Sequence, residues 1–194
     1  MIEAIAGIAA AFGLSGSAGL NAYIPLLIVA VAARFPLNSP WLKLSEPYDQ
    51  MGSWWAIGIL AVLLVIEMLV DKIPAVDTIN DVINTFIRPA AGALLFAANA
   101  NIITDINPIL AMGAGLLVAG SVHAAKGTVR PVVTASTAGS GNWAVSLVED
   151  IIAIFMSLLA ILLPLLAGLA FLAFVFFLFW LWRRRQQRKQ TAPI

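Results

Sequence analysis

Long apolar runs constrain this chain more than any other feature. Five of them fall at about residues 2–33, 54–72, 89–103, 107–125 and 144–182. About 20 apolar residues in a helix are enough to cross a hydrocarbon core of about 30 Å. Only 11% of the residues are charged, against about 25% in a soluble domain. The sequence therefore predicts an all-α integral membrane protein.

Two of the runs do not fit one straight helix. The first is interrupted at 15–21 by Gly, Ser and Asn, which predicts two half-helices joined by an unwound stretch. The last would be ~58 Å long as a single helix. Splitting it near Pro164 gives about six transmembrane helices. If it is one tilted helix, because ILLPLLAGLA has no polar turn, the count is five.

The segment between the second and third spans has a helical pattern of its own. Over residues 75–87, apolar side chains share one face and Asp and Asn share the other. This pattern predicts an amphipathic helix that lies along the cytoplasmic surface of the membrane or packs over the bundle. Pro74 should open it, and Asp77 and Asp81 lie near its start, where a helix favours negative charge.

The basic residues predict the orientation of the chain. With six spans, nine of the eleven Lys and Arg residues fall on one side, and only Arg34 and Lys43 on the other. We therefore expect one membrane domain over residues 1–182, a basic cytoplasmic tail over 183–194, and both termini in the cytoplasm.

A second polar stretch resembles the first. TAGSGNW at 137–143 matches SAGLNAY at 17–23 with one inserted residue, and an Arg-Pro pair occurs at both 88–89 and 130–131. Such pairs of breaks are typical of transporters built from duplicated halves, so we expect an internal, inverted repeat. The alternative is close helix packing through small residues.

Polar residues in these apolar surroundings are the candidate site. A carboxylate at the depth of Glu67 costs about 3 kcal/mol, so it normally has a partner or a function. Broken helices free backbone groups that can bind a solute. The candidate coupling carboxylates are Glu67, Glu149, Asp150 and Asp71; the candidate solute-binding residues are Ser15, Ser17, Asn21, Ser136, Thr137, Ser140 and Asn142; the candidate vestibule cations are Lys72, Arg88, His123, Lys126 and Arg130.

Motifs for catalysis are weak. Ser136, His123 and Asp150 are the right residue types for a hydrolytic triad, but nothing in the sequence brings them together. TAGSG lacks the Lys-Ser/Thr ending of a phosphate-binding loop. There are carboxylates for a hard cation but no dense ligand spacing, so whether a metal binds stays open. We expect neither an enzyme nor a cofactor.

Several short motifs occur together in a known order. DKIPAVD at 71–77, IRPAAGALL at 87–95, TASTAGSGN at 134–142 and SLVED at 146–150 resemble a bacterial inner-membrane family known as domain of unknown function 4126. The resemblance covers roughly residues 12–165. It implies a small polytopic protein of the inner membrane and supplies no activity.

These observations favour a small secondary transporter, in which the two breaks meet near the middle of the membrane and Glu67 and Glu149 bind a proton or cation. The alternatives are a membrane scaffold with structural ion pairs and a carrier of a phosphate-bearing lipid. The expected partners are the bilayer and a small charged solute or lipid head group. Homo-oligomer formation stays open, and no nucleic acid partner is expected.

Overall fold

The chain is helical throughout the part that the structure describes. The computed structural model describes residues 2–35, 44, 46–70, 74–100, 106–137 and 141–190, and these contain no strand. The all-α prediction is confirmed for this part of the chain. Its elements are α1 (Ile2–Leu20), α2 (Tyr23–Arg34), a 3-10 helix (Tyr48–Gly52), α3 (Trp54–Val70), α4 (Pro74–Ala100), α5 (Pro108–Thr137), α6 (Asn142–Leu162) and α7 (Pro164–Gln190).

Length and apolar composition identify the helices that are able to cross a membrane. Among the described residues three qualify: Glu3–Leu20, Pro108–Thr137 and Asn142–Leu162. Shorter apolar helices occupy Tyr23–Arg34, Trp54–Val70 and Pro164–Phe177. Large apolar side chains cover the outside of the bundle. These features are those of a helical membrane protein, but the count of six spans is not confirmed.

The first helix, α1, is the centre of the bundle. It packs against α2, α4, α5, α6 and α7, and Leu14 and Ala18 are fully buried. A Cβ atom on Gly13 would lie 3.0 Å from the Cβ atoms of Ala160 and Ala167, so its neighbours pack directly on its backbone. The expectation of an unwound stretch is therefore wrong for 15–20, and the chain leaves the helix only at Asn21–Ala22. Small residues allow close packing there, and the helix stays intact to Leu20.

Contacts along α1 establish the directions of α4, α5 and α6. Helix α6 is antiparallel to α1, because Asn21 meets Asp150 at one end and Gly13 meets Ala160 further along. Helix α4 is antiparallel to it as well, since Ser15 contacts Gly92 and Phe12 contacts Phe96. Helix α5 runs parallel to α1: Gly19 lies beside Ala119 and Leu20 accepts a hydrogen bond from Lys126.

Helices α1 and α2 also run in opposite directions. The end of α2 shares a groove with the end of α6, at Phe35 and Leu162, whereas Asn21, just before α2, contacts the first half of α6. We call the end of the bundle where α1 passes into α2 the junction end. The first apolar run is therefore a pair of antiparallel helices and not one interrupted span.

The last apolar run divides as the sequence predicts. Helix α6 ends at Leu162 and α7 begins at Pro164. Ile152 and Met156 of α6 line the same groove as Ala170 and Phe174 of α7, so the two helices form an antiparallel hairpin. Consequently α7 runs towards the junction end, whereas α1 begins at the opposite end. The expectation that both termini lie on one side is not confirmed.

The amphipathic segment is part of a longer helix. Helix α4 continues from Pro74 through Pro89 to Ala100, so the separate surface helix over 75–87 is wrong. Pro74 does open the helix, as expected. Phe86 is 75% exposed while Asn84 and Arg88 are each 1% exposed. The apolar face points outward and the polar face inward, because polar groups in an apolar medium are stabilised by partners inside the bundle.

The two polar junctions do not form an inverted pair. In each case a helix that runs towards the junction end, α1 or α5, is followed by one that runs away from it, α2 or α6. An inverted repeat would place the two junctions at opposite ends of the bundle. The inverted repeat is not confirmed.

We expect Gly115→Ala to destabilise the protein while Gly113→Ala does not. A Cβ atom at Gly115 would collide with the backbone carbonyl of Gly92 and with Phe96, whereas nothing lies within 4 Å at Gly113. Overpacking of this kind costs about 1–3 kcal/mol, while alanine favours the helix equally at both positions by about 1 kcal/mol. Thermal unfolding in detergent measures the difference. Equal melting temperatures for the two variants would contradict the close α4–α5 contact.

Candidate functional site: the charged cluster around the α1–α2 junction

A buried ion pair joins α3 to α4. Arg88 Nη2 lies 3.1 Å from Glu67 Oε1, and the two side chains are 1% and 2% exposed. Asn84 Nδ2 donates to the same carboxylate oxygen at 3.2 Å. Asn84 and Arg88 are four residues apart and so share one face of α4. The Glu67 carboxylate, which lies in the apolar helix α3, therefore accepts hydrogen bonds from two side chains of α4, Asn84 and Arg88.

The chain's single histidine extends this pair to α5. His123 Nδ1 lies 3.4 Å from Arg88 Nη1, and His123 Nε2 lies 3.3 Å from Thr85 Oγ1. A guanidinium group only donates hydrogen bonds, so His123 Nδ1 is the acceptor. The hydrogen of the neutral imidazole is then on Nε2, which donates to Thr85. Protonation of Nδ1 would place two cations against each other.

A second ion pair joins α5 to α6. Lys126 Nζ lies 2.7 Å from Glu149 Oε2, and the side chains are 3% and 12% exposed. The same ammonium group donates to the backbone carbonyl of Leu20 at 3.4 Å. Leu20 is the last residue of α1, where carbonyl groups have no partner within the helix. Lys126 thus connects a carboxylate of α6 to the end of the central helix.

The α1–α2 junction itself is held by Asn21. Its Nδ2 donates to Asp150 Oδ1 at 2.9 Å, and Asn21 and Asp150 are 2% and 8% exposed. Its Oδ1 accepts from the backbone N–H groups of Tyr23 and Ile24 at 3.0 and 3.1 Å, which caps the start of α2. One amide side chain therefore ends one helix, begins the next and binds a buried carboxylate.

The two ion pairs lie at the same end of the bundle. His123 and Lys126 are three residues apart on α5 and face Arg88 and Glu149 respectively. The phenol of Tyr23, two residues after Asn21, interacts electrostatically with both Glu67 and Arg88. We call this set the junction cluster; it consists of Asn21, Glu67, Arg88, His123, Lys126, Glu149 and Asp150.

The serines of α1 serve in packing. Ser15 donates to the carbonyl of Gly92 at 2.9 Å, and Ser17 donates to the carbonyl of Ala153 at 2.8 Å and pairs with Ser157 at 2.7 Å. Both are buried beside other helices. Their hydroxyl groups fasten α1 to α4 and α6.

The second polar stretch lies apart from the first. Ser136 and Thr137 are exposed and donate to the carbonyl of Val133 in their own helix. Asn142 accepts from Thr134 at 2.9 Å. Thr137 is about 16 Å along α5 from Lys126, which is level with the end of α1. The expected meeting of the two breaks is therefore not realised.

Some of the candidate residues cannot be placed. Asp71, Lys72 and Ser140 lie outside the described residues, as do the side chains of Arg130, Asp77 and Asp81. The triad is not assembled, because Ser136 and His123 are 13 residues apart on the same helix, α5, which is about 20 Å along its axis. Among the described residues no group of three or more His, Cys, Asp or Glu side chains is arranged to hold a metal ion.

Sequence reasoning missed the role of two residues. Asn84 lies on the polar face of the amphipathic pattern and donates to Glu67, and Asn21, a candidate solute-binding residue, caps α2. A signal for the first was present: Asn84 precedes Arg88 by four residues in a helix whose other face is apolar. No sequence signal pairs Asn21 with Asp150, since 129 residues separate them.

Helices long and apolar enough to cross a membrane, joined by buried ion pairs, are features of an all-α membrane protein with charged groups in its interior. A family model described as domain of unknown function (DUF4126) matches residues 8–184. The chain belongs to this family, which confirms the resemblance found in its motifs. Comparisons with curated proteins and with solved structures give no match.

We expect Glu67→Gln to destabilise the protein strongly and Glu67→Gln/Arg88→Gln to recover part of the loss. The single change leaves the buried guanidinium without its counter-charge, which costs about 3–5 kcal/mol, whereas removing both charges avoids that penalty. Unfolding of the two single variants, the double variant and the wild type in detergent completes the cycle. A Glu67→Gln protein as stable as the wild type would show that the pair does not hold α3 to α4.

Proposed function

We propose that this protein is a small ion-coupled membrane carrier whose site is the junction cluster. The observation that carries the proposal is the break in the chain at Asn21–Ala22, between two helices and against the buried carboxylate of Asp150. Helix ends expose backbone carbonyl groups that can bind a cation, and secondary transporters use such groups to hold coupling ions. The nearby charges of Lys126 and Glu149 strengthen this reading.

The charged residues divide into two roles in this proposal. Glu67 and Arg88, with Asn84, form a clamp between α3 and α4, because the ion pair is almost fully buried. Glu149 and Asp150 carry the coupling, because they flank the junction and the Glu149 side chain is partly exposed. We therefore assign the coupling role to Asp150, whose carboxylate accepts a hydrogen bond from Asn21. Glu67 has a structural role, since it is paired with Arg88.

We propose that the junction end faces the cytoplasm of a bacterial inner membrane. Lys126 lies at this end, α7 runs towards it, and the basic residues from Arg183 onward follow. Arg34 lies at the opposite end, where α2 finishes. The positive-inside rule then favours a cytoplasmic C-terminus. Because α1 begins at the opposite end, its first residues, with Glu3 among them, would be outside.

A membrane scaffold is the second candidate. It is favoured by the pairing of Glu67 with Arg88 and of Glu149 with Lys126, since paired charges are also expected in a purely structural core. The groove between α1 and α7 is lined by apolar residues such as Ile5, Phe12 and Leu169, which also suits a lipid chain. A transport measurement separates these readings from the carrier.

Cysteine labelling tests the orientation. The chain contains no cysteine, so single substitutions at Glu3, Asp49, Ser136 and Arg184 report on one site each. We expect a membrane-impermeant thiol reagent added to intact cells to label positions 3 and 49, and to label 136 and 184 only after the membrane is opened. Labelling of positions 3 and 184 from the same side would contradict the opposite placement of the termini.

Reconstitution tests the carrier. In proteoliposomes that contain a pH-sensitive dye, pulses of external Na⁺ or K⁺ salts should drive proton movement through the wild type at least tenfold faster than in empty vesicles. Asp150→Asn keeps the shape of the side chain but removes its charge, so it should abolish this movement. Asp49→Asn, at an exposed position, is the matched control and should leave it unchanged. Wild-type vesicles no faster than empty ones would favour the scaffold.

A further inference from the structure

Helix α7 ends in a group of stacked aromatic and basic side chains. The guanidinium carbon of Arg184 lies 4.5 Å from the centre of the Trp180 ring, and that of Arg183 lies 6.0 Å from the centre of the Phe179 ring. Trp180 in turn stacks on Phe177, with ring centres 6.1 Å apart. All five side chains are exposed. We call them the Arg183–Arg184 site.

Contacts with α1 give the level of this site along the bundle. Phe171 packs on Gly16, and Trp180 is about 14 Å further along α7. Leu20, the last residue of α1, is about 6 Å further along than Gly16. Since α1 and α7 run in the same direction, Trp180 lies about 8 Å beyond the end of α1.

Exposed tryptophans of other helices lie at two levels of the bundle. Trp143 of α6 is 52% exposed and precedes Asp150 by about two helical turns. Asp150 contacts the residue that follows α1, so Trp143 lies about 10 Å beyond the end of α1, close to the level of Trp180. At the far end of α2, the Arg34 guanidinium carbon lies 5.1 Å from the centre of the Trp54 ring. That contact is about 20 Å from the junction end.

The two tryptophan levels mark the surfaces of the membrane. By the rise of the helices they are about 28 Å apart, close to the ~30 Å thickness of a hydrocarbon core. Tryptophan is enriched at both membrane–water interfaces. Arg183 and Arg184 follow Trp180 by one helical turn, so they lie at the depth of the lipid head groups.

The positive charge at this end is not balanced by acidic residues near it in the sequence. Residues 183–189 contain four Arg and one Lys, whereas residues 151–194 contain no Asp or Glu. Among the described residues, carboxylates form ion pairs with Arg88 and Lys126, not with the two arginines of the site. Both arginines can therefore bind an anion from outside the chain.

Stacking prepares these arginines for a phosphate group. An aromatic ring attracts the face of a guanidinium group, which leaves the N–H groups at its edge to donate. Those groups match two phosphate oxygens at once, which a lysine ammonium group does not. Before the site, α7 presents apolar side chains such as Phe176, which is 70% exposed. A ligand with a phosphate group and hydrocarbon chains fits both parts, whereas a dissolved phosphate or a nucleic acid fits only the first.

We propose that the Arg183–Arg184 site binds the phosphate group of an anionic phospholipid, whose acyl chains lie along the apolar side chains of α7. The cytoplasmic leaflet carries negative charge that attracts basic segments next to a transmembrane helix. Binding there holds the end of α7 in the leaflet that the positive-inside rule favours. The inference goes beyond the proposed carrier function and does not depend on it, because a scaffold would carry the same site.

Native mass spectrometry of the full-length protein in a nonionic detergent tests the proposal without transport. The probes are dioleoylphosphatidylglycerol and dioleoylphosphatidylcholine, which share their acyl chains and a phosphate group but differ in net charge. We expect the wild type to bind the anionic lipid at least about tenfold more tightly. This preference should decrease as the salt concentration rises, because the site is exposed.

Substitutions separate the arranged arginines from general positive charge. Arg183→Gln/Arg184→Gln should weaken binding of phosphatidylglycerol about 25-fold, since each basic residue near an anionic lipid contributes about fivefold. Arg183→Lys/Arg184→Lys keeps the charge but loses the stacked planar group, so its affinity should lie between those of the wild type and the glutamine variant. Arg34→Gln is the matched control: Arg34 also stacks on a tryptophan ring but has no basic residue beside it, so binding should be unchanged.

Melting temperatures without added lipid check the fold of the variants, and they should equal that of the wild type because both arginines are exposed. Equal affinity of the wild type and the glutamine double variant for phosphatidylglycerol would overturn the proposal. A lysine double variant that binds as tightly as the wild type would also overturn it, since charge alone would then suffice. Displacement of the lipid by an equal concentration of inorganic phosphate or of a short RNA would assign the site to a soluble anion instead.

Discussion

The structure depends on the cost of leaving a polar group without a partner in an apolar medium. Glu67 lies in an apolar helix, and its carboxylate is stabilised by Arg88 and Asn84 of the next helix. That requirement orients α4, because the face that carries these residues must turn inward and its apolar face, with Phe86, must turn outward. Lys126 and Glu149 impose the same requirement on α5 and α6. The charged residues thus determine which helices are neighbours.

Close packing at α1 is the second constraint. Without a difference in hydrophobicity between lipid and helix surfaces, association depends on close contact and on hydrogen bonds between helices. Gly13 and Gly19 allow neighbouring helices to reach the backbone of α1. Ser15 and Ser17 add bonds to the carbonyl groups of Gly92 and Ala153. A stretch that resembles a broken helix in sequence is therefore a site of close helix packing.

The junction cluster combines these two constraints. Close packing brings α4, α5 and α6 to the end of α1, and the charges that lie there must then pair with one another. The pairing is compatible with a structural core, and the turn at Asn21–Ala22 joins the start of α2 to it through the Asn21 side chain.

The sequence by itself determined the helical class, the family, the separation of α6 from α7 near Pro164, and the start of α4 at Pro74. These are local properties: an apolar run of sufficient length, or a proline that removes a backbone donor, acts within a few residues. Tertiary structure alone decided that α1 stays intact through its glycines, that α4 turns its polar face inward, and that Asn21 binds Asp150. The physical reason is that small and polar residues are compatible with several conformations. The helices that pack against them, distant in sequence, select one.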